Sequence, residues 1–149
     1  MRRSLIASLC LTLTAAVTGA VLPVVEVEED VYRYQPADNG AGPMWCHGST
    51  CLVRIADRLF ASGLETLEDA KPLNNCRWTL FTRNEPRGMR TAHQSPWTKV
   101  CIDESGRTRE PSPLAAFTNG PLFLSANPTL DPNAYSGPAR PEILAFDIA

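Results

Sequence analysis

The sequence predicts an all-β fold, one four-stranded antiparallel unit followed by part of a second. Three observations predict it. All 13 prolines lie beyond residue 20, about twice the usual share, and proline breaks helices and interrupts central strands. Apolar residues come in short runs bounded by Gly, Pro, Asn and Asp, the pattern of short strands joined by loops. A hairpin pattern at His47 to Leu64 (HGSTCLVRIADRLFASGL) returns as Pro113 to Thr129 (PLAAFTNGPLFLSANPT).

Residues 1–20 read as a secretory signal peptide. Met1-Arg2-Arg3 is a basic start, Leu5 to Val17 an apolar run, and Thr18-Gly19-Ala20 a small-residue exit, with cleavage expected after Ala20. The run is too short for a stable membrane span, so no span is expected after cleavage, and a secreted or periplasmic location is implied. Cleavage takes Arg2 and Arg3 and no acid, so the net charge moves from −2 to −4. No basic stripe exists, which argues against nucleic acid or anionic lipid as a partner.

Residues 21–44 form an extended lead-in and loop. Val21 to Tyr34 (VLPVVEVEEDVYRY) is β-branched, then acidic, then aromatic, and suits an extended lead-in or an edge strand. Gln35 to Met44 (QPADNGAGPM) is loop by composition. The segment 45–149 carries the repeated sheet units. Cys51 to Ile55 is a first strand whose run Leu52, Val53, Ile55 suits burial on both faces. Ala56-Asp57-Arg58 is a tight turn, and Leu59 to Leu64 the return strand. Leu64 to Pro72 is the one place outside the signal where a helical turn is plausible.

Cys76 to Arg83 alternates, with Trp78 and Leu80 on one face and Arg77, Thr79, Phe81 and Arg83 on the other. Asn84 to Gly88 (NEPRG) is a turn whose arginines, Arg83, Arg87 and Arg90, read as a solvated loop. Trp97 to Ile102 returns as the fourth strand. In the second unit Pro113 to Phe117 is a strand, Thr118-Asn119-Gly120-Pro121 a turn with an Asn-Gly signal, Leu122 to Asn127 its partner, and Glu142 to Phe146 a third strand.

Set side by side, Leu52 matches Leu114, Leu59 matches Leu122, and Trp78 to Phe81 matches Ile143 to Phe146. The offsets are 62, 63 and 65 residues. Repetition of a sheet-forming unit is the signature of a β-propeller or similar array. On that reading the chain is a partial β-propeller and needs further blades to cover its apolar faces.

Four cysteines follow the signal: Cys46, Cys51, Cys76 and Cys101. An even count in an exported chain implies disulfides, with three connectivities open. A hairpin centred on Arg87-Gly88-Met89 would set Cys76 opposite Cys101 and leave Cys46 and Cys51 to close a small ring. The alternative is a zinc site on Cys46, His47 and Cys51, but no second ligand pair has metal spacing. No metal or other cofactor is expected. The chain has no Gly-rich phosphate loop, nucleophile elbow or HExxH.

The run His47-Gly-Ser-Thr-Cys-Leu-Val-Arg-Ile-Ala-Asp-Arg-Leu-Phe-Ala-Ser62 resembles the opening blade of sialidase-like (bacterial neuraminidase repeat) β-propellers, and Arg109 to Ser125 resembles the next inner strand pair. The resemblance implies a glycan-associated protein and, for a longer parent, glycosidase chemistry. Two of the family's features are not in this sequence. Trp45-Cys46-His47-Gly48 stands where the family has an Arg-Ile-Pro motif, and Pro72 to Trp78 keeps only the terminal Trp of its Asp-box. The family's Tyr/Glu pair belongs to later blades. Sialidase activity is therefore not expected of this chain alone.

In a propeller, residues entering the inner strands rim the central channel. That geometry selects Trp45 and His47 before the first strand and Arg109 and Glu110 before the second unit as ligand-binding candidates. Trp offers an apolar face for a sugar ring, Arg a bidentate donor for a carboxylate, and Glu or His acid–base capacity. Each has a structural reading beside it: His47 as a hydrogen-bonder next to a Cys46–Cys51 ring, Arg109 with Glu110 as an ion pair, Trp45 and Trp78 as core. Two alternatives remain: a non-catalytic structural or interaction module of the cell envelope, and a small self-contained disulfide-linked β-sandwich that binds carbohydrate.

Overall fold

The computed structural model describes residues 22–25, 28–42, 49–70, 73–84, 96–104, 107–118, 120–135 and 137–148. Among them there are seven strands and no helix. β1 (Leu52–Ile55), β2 (Arg58–Thr66), β3 (Cys76–Asn84) and β4 (Trp97–Ile102) form one sheet, and β5 (Leu114–Ala116), β6 (Leu122–Ala126) and β7 (Glu142–Phe146) form another. Both sheets are meanders: every neighbour is the next strand in sequence, and every pair is antiparallel.

Local chemistry sets the hairpins. β1 and β2 close through Ala56-Asp57, with Ile55 opposite Arg58 and Ala56 at φ 54°. A positive φ at the first of two turn residues matches the turn to the twist of the strands. The second hairpin closes at Gly120, whose N–H donates to the Phe117 carbonyl at 3.2 Å. Leu64 to Thr66 continues as strand, not helix, because Leu64 and Thr66 pair with Trp78 and Cys76. The chain turns only at Leu67, whose carbonyl accepts from the Ala70 N–H.

The core lies between the two sheets. Ile55, Phe60, Trp78 and Leu80 from the larger sheet meet Leu114, Leu122, Leu124 and Ala126 from the smaller, flanked by Val53, Cys101, Leu144 and Phe146. The alternation expected for β3 holds: Trp78 and Leu80 face this core, and Arg77, Thr79, Phe81 and Arg83 point the other way. β1 is not buried on both faces. Val53 and Ile55 turn inward, whereas Leu52 is 53 % exposed on the far side. The first strands of the two sheets lie side by side, and the Leu114 N–H donates to the Thr50 carbonyl at 2.6 Å.

Three further expectations need correction. Cys101 sits opposite Leu80, not Cys76. The β3–β4 register is displaced by four residues from the expected one, about 13 Å along a strand, and Cys51, Cys76 and Cys101 are free thiols. The Cys76–Cys101 disulfide is thus not formed; Cys46, the expected partner of Cys51, lies outside the described residues. Arg83 is not a solvated loop residue but is buried and ion-paired with Glu29; Arg87 and Arg90 lie outside the described residues. The third repeat match also moves. Ala61 pairs with Phe81 and Leu124 with Leu144, which aligns Phe81 with Leu144.

Among its described residues the lead-in makes no strand pairs, yet it is held against the larger sheet. Tyr32 stacks on Phe81 and its hydroxyl accepts from the Leu64 N–H at 3.2 Å. Further on, Ala37 and Tyr34 pack with Leu64 and Cys76 in a second small core. The lead-in therefore covers the face of the larger sheet turned away from the smaller one, then wraps round its Thr66–Cys76 end.

Candidate functional site

Of the four rim candidates, Trp45 and His47 lie outside the described residues, and Arg109 and Glu110 precede β5. Their segment is tied at both ends. Thr108 and Cys76 exchange backbone hydrogen bonds, Thr108 N–H to the Cys76 carbonyl at 2.7 Å and Cys76 N–H to the Thr108 carbonyl at 3.0 Å. Leu114 is held by Thr50 as described, which sets the segment before β5 beside the segment before β1.

Arg109 and Glu110 form no ion pair with each other among the described residues. Instead Arg109 Nε donates to the backbone carbonyl of Asn39 at 3.0 Å. Gly40, at φ 75°, lets the guanidinium approach: a Cβ there would stand 3.1 Å from Nη2. Glu110 is half-buried, and its carbonyl accepts from Thr108 Oγ1 at 3.3 Å.

Asn39 is the centre of this arrangement, and sequence reasoning missed it. It is 1 % exposed. Its Nδ2 donates to Asn75 Oδ1 at 3.0 Å and its Oδ1 accepts from the Ala41 N–H at 2.9 Å. Asn75 Nδ2 in turn donates to the Ala37 carbonyl at 2.7 Å. Asp38 at φ 49° and Gly40 at φ 75° bend the backbone on either side so that the amide points inward. The signal was present as Asp-Asn-Gly and Asn74-Asn75, but such residues usually mark exposed turns. Burial pushes the neighbouring Cys76 thiol above its ordinary pKa, despite hydrogen bonds from its neighbours, so it is a neutral thiol near pH 7.

Among the described residues, clefts open at several places on this scaffold. The first, of about 520 Å³, lies where the sheets diverge beside β7 and is lined by Trp78, Cys101, Asp103, Glu104, Glu142 and Leu144 among others. Arg140 at its rim is paired with Glu142 at 2.7 Å. The second, of about 670 Å³, is apolar and sits at the hairpin ends near Ile55, Pro121 and Phe146. The third, of about 300 Å³, runs under the lead-in between Tyr32, Gln35, Glu65 and Lys99. Among the described residues no three His, Cys, Asp or Glu side chains gather as metal ligands. The hydrogen bonds of Asn39, Asn75 and Arg109 anchor the lead-in to the larger sheet and to the segment before β5. Compared with protein-family models, with curated proteins and with solved structures, the chain matches none.

Proposed function

We propose that this is an exported glycan-associated module of sialidase-like propeller type, working as a binding scaffold and not as a catalyst. One observation carries the propeller part of this reading. The repeat aligns Leu52 with Leu114, yet Leu52 points away from the partner sheet while Leu114, 4 % exposed, points into it. Equivalent faces of the two sheets thus look the same way round, front to back, as blades of a rotational array do. Two sheets related face to face would turn both residues inward.

The same alignment sets Phe60, 2 % exposed, against Phe123, which lies with Phe117 on the open face of the smaller sheet. A further blade, seated there as the smaller sheet is seated on the larger, is the partner this reading requires. Glycan binding is assigned to the rim of Trp45, His47, Arg109 and Glu110. The test is saturation-transfer binding of sialylated and neutral oligosaccharides to the full chain. Binding lost in Trp45→Ala and Glu110→Gln, with an unchanged melting temperature, supports it.

The second reading is a structural or interaction module of the cell envelope. The engagement of Arg109 with Asn39 favours it, because a guanidinium holding the lead-in is less available to a ligand carboxylate. No response to any sugar by a folded chain decides for this second reading.

A further inference from the structure

Side-chain contacts hold the lead-in, and one group of them is centred on a chemically fragile pair. Asn39 is followed by Gly40. Asparagine before glycine cyclises readily, because glycine has no side chain to shield its main-chain nitrogen. The structure needs both members of the pair. Asn39 bridges Asn75 and the Ala41 N–H, and Gly40 supplies the φ of 75° and the open space beside Arg109 Nη2.

The reaction is intramolecular. The Gly40 main-chain nitrogen attacks Asn39 Cγ and a C–N bond forms. The Cγ–Nδ2 bond breaks, and Nδ2 leaves as ammonia with the proton that Gly40 gives up. Water then opens the five-membered imide at either carbonyl. Opening at the side-chain carbonyl leaves aspartate. Opening at the main-chain carbonyl leaves isoaspartate: the chain gains one backbone carbon, and the carbonyl that Arg109 holds becomes a carboxylate.

The docked lead-in opposes this chemistry. Nδ2 is tied to Asn75 Oδ1 at 3.0 Å and Oδ1 to the Ala41 N–H at 2.9 Å, and the side chain is sealed from water. Cyclisation therefore waits on local opening of the lead-in, which costs less than unfolding of the sheet beneath it. The same opening uncovers the buried Cys76, whose Sγ lies 3.9 Å from Tyr34 Oη and 3.6 Å from Asn39 Nδ2. Once the amide is an acid, the clasp does not re-form at neutral pH. A carboxylate oxygen then stands against Asn75 Oδ1, and Asn75 cannot offer its Nδ2 without giving up the Ala37 carbonyl.

We propose that Asn39-Gly40 is a self-modification site, at which a reversible opening of the lead-in becomes a permanent one. The product is a chain whose lead-in is loosened around residue 39 and whose Cys76 thiol is reachable. Water is the one co-reactant. The inference does not depend on what the chain binds.

The experiment ages the full chain, under reductant, in warm and mildly alkaline buffer beside a synthetic peptide of residues 35–44, and follows Asn39 by peptide mass spectrometry. Asn39 in the chain should convert roughly tenfold more slowly than in the peptide, since two buried hydrogen bonds must open first. Tyr32→Ala, which removes the stack on Phe81, should raise Asn39 conversion and Cys76 labelling by the same factor. Gly63→Ala, acting from the sheet side, should do likewise. Asn119, the other asparagine before a glycine, lies outside the described residues and is the reference; its conversion should be the same in all these chains. Converted chain should keep Cys76 reactive after return to neutral pH, and Asn39→Asp should show this without ageing. Conversion at the peptide's rate overturns the proposal, as does a parallel rise at Asn119, which would mean global unfolding. A converted chain in which Cys76 stays unreactive also overturns it.

Discussion

The ring of Tyr32 lies flat on that of Phe81, with centroids 5.1 Å apart and planes 13° from parallel. Glycine at position 63 makes this approach feasible. A Cβ there would stand 2.8 Å from two carbons of the Tyr32 ring and 2.9 Å from Thr79 Oγ1. Gly63→Ala is therefore expected to lift the lead-in from the sheet at a cost of about 1–3 kcal/mol. A urea midpoint that falls, together with faster proteolysis within residues 28–42, is the expected result. An unchanged midpoint would show that the strand, not the lead-in, absorbs the methyl group.

Asn39 should be the most sensitive polar position in the lead-in. Asn39→Ala strands Asn75 Oδ1 and the Ala41 N–H, and should cost about 1–3 kcal/mol. Asn39→Asp keeps the shape but sets a buried carboxylate against Asn75 Oδ1, so it should be worse at neutral pH and recover on acidification. Melting temperatures of both variants at two pH values check this. The Arg109 contact should survive either change, since it goes to the backbone carbonyl.

The three described thiols should react unequally. Cys51 and Cys101 are half-buried and should label in the folded protein, whereas Cys76 should label only on unfolding. Burial raises the Cys76 pKa, so the folded state keeps a proton that the unfolded chain releases. That contribution is intact below about pH 8.5 and is lost as pH rises through the folded value. Burial raises Tyr32 and Tyr34 as well, extending the loss to higher pH. Denaturation midpoints should thus drop on the alkaline side, less steeply in Cys76→Ser.

Glu65 behaves in the opposite sense. Partial burial alone would raise its pKa, but the hydrogen bond and charge of Arg77, its cross-strand partner, with help from Lys99, hold it below the ordinary range. The resulting stabilisation is present above about pH 4.3 and is lost as pH falls through the folded value. Both side chains are partly exposed, so the effect should stay under about 1 kcal/mol and shrink in high salt. A Glu65→Gln/Arg77→Gln double-mutant cycle across that pH range measures it.

The strands were legible because their signals are local. Alternation in Cys76 to Arg83, the Asn-Gly turn and the short apolar runs each act within a few residues, and all seven strands fall where the pattern put them. The two-sheet, all-β architecture followed from the same cues. Register was not legible. The Cys76–Cys101 pairing assumed a hairpin centred on Gly88, and neither the true displacement nor the bulge in β4 has a signature in composition. The helical turn at Leu64 failed for a related reason: cross-strand partners Trp78 and Cys76 outweigh local propensity.

The site was less legible than the fold. Arg109 was chosen as a donor to a ligand, but its first partner is a carbonyl 70 residues away in the chain. Asn39 was passed over because asparagine beside glycine usually marks a surface turn. Long-range polar anchoring of this kind leaves no periodic trace, whereas strand packing does.

The shared interior has a thermodynamic corollary. Among the described residues, Ile55, Phe60, Trp78 and Leu80 share one cluster with Leu114, Leu122, Leu124 and Ala126 of the other sheet, so neither half is expected to melt and leave the other standing. Heating should give one sharp calorimetric transition, in which the enthalpy from the curve's shape equals that from its area. Leu122→Ala should then lower the melting point of β2 and β3 as much as that of its own hairpin.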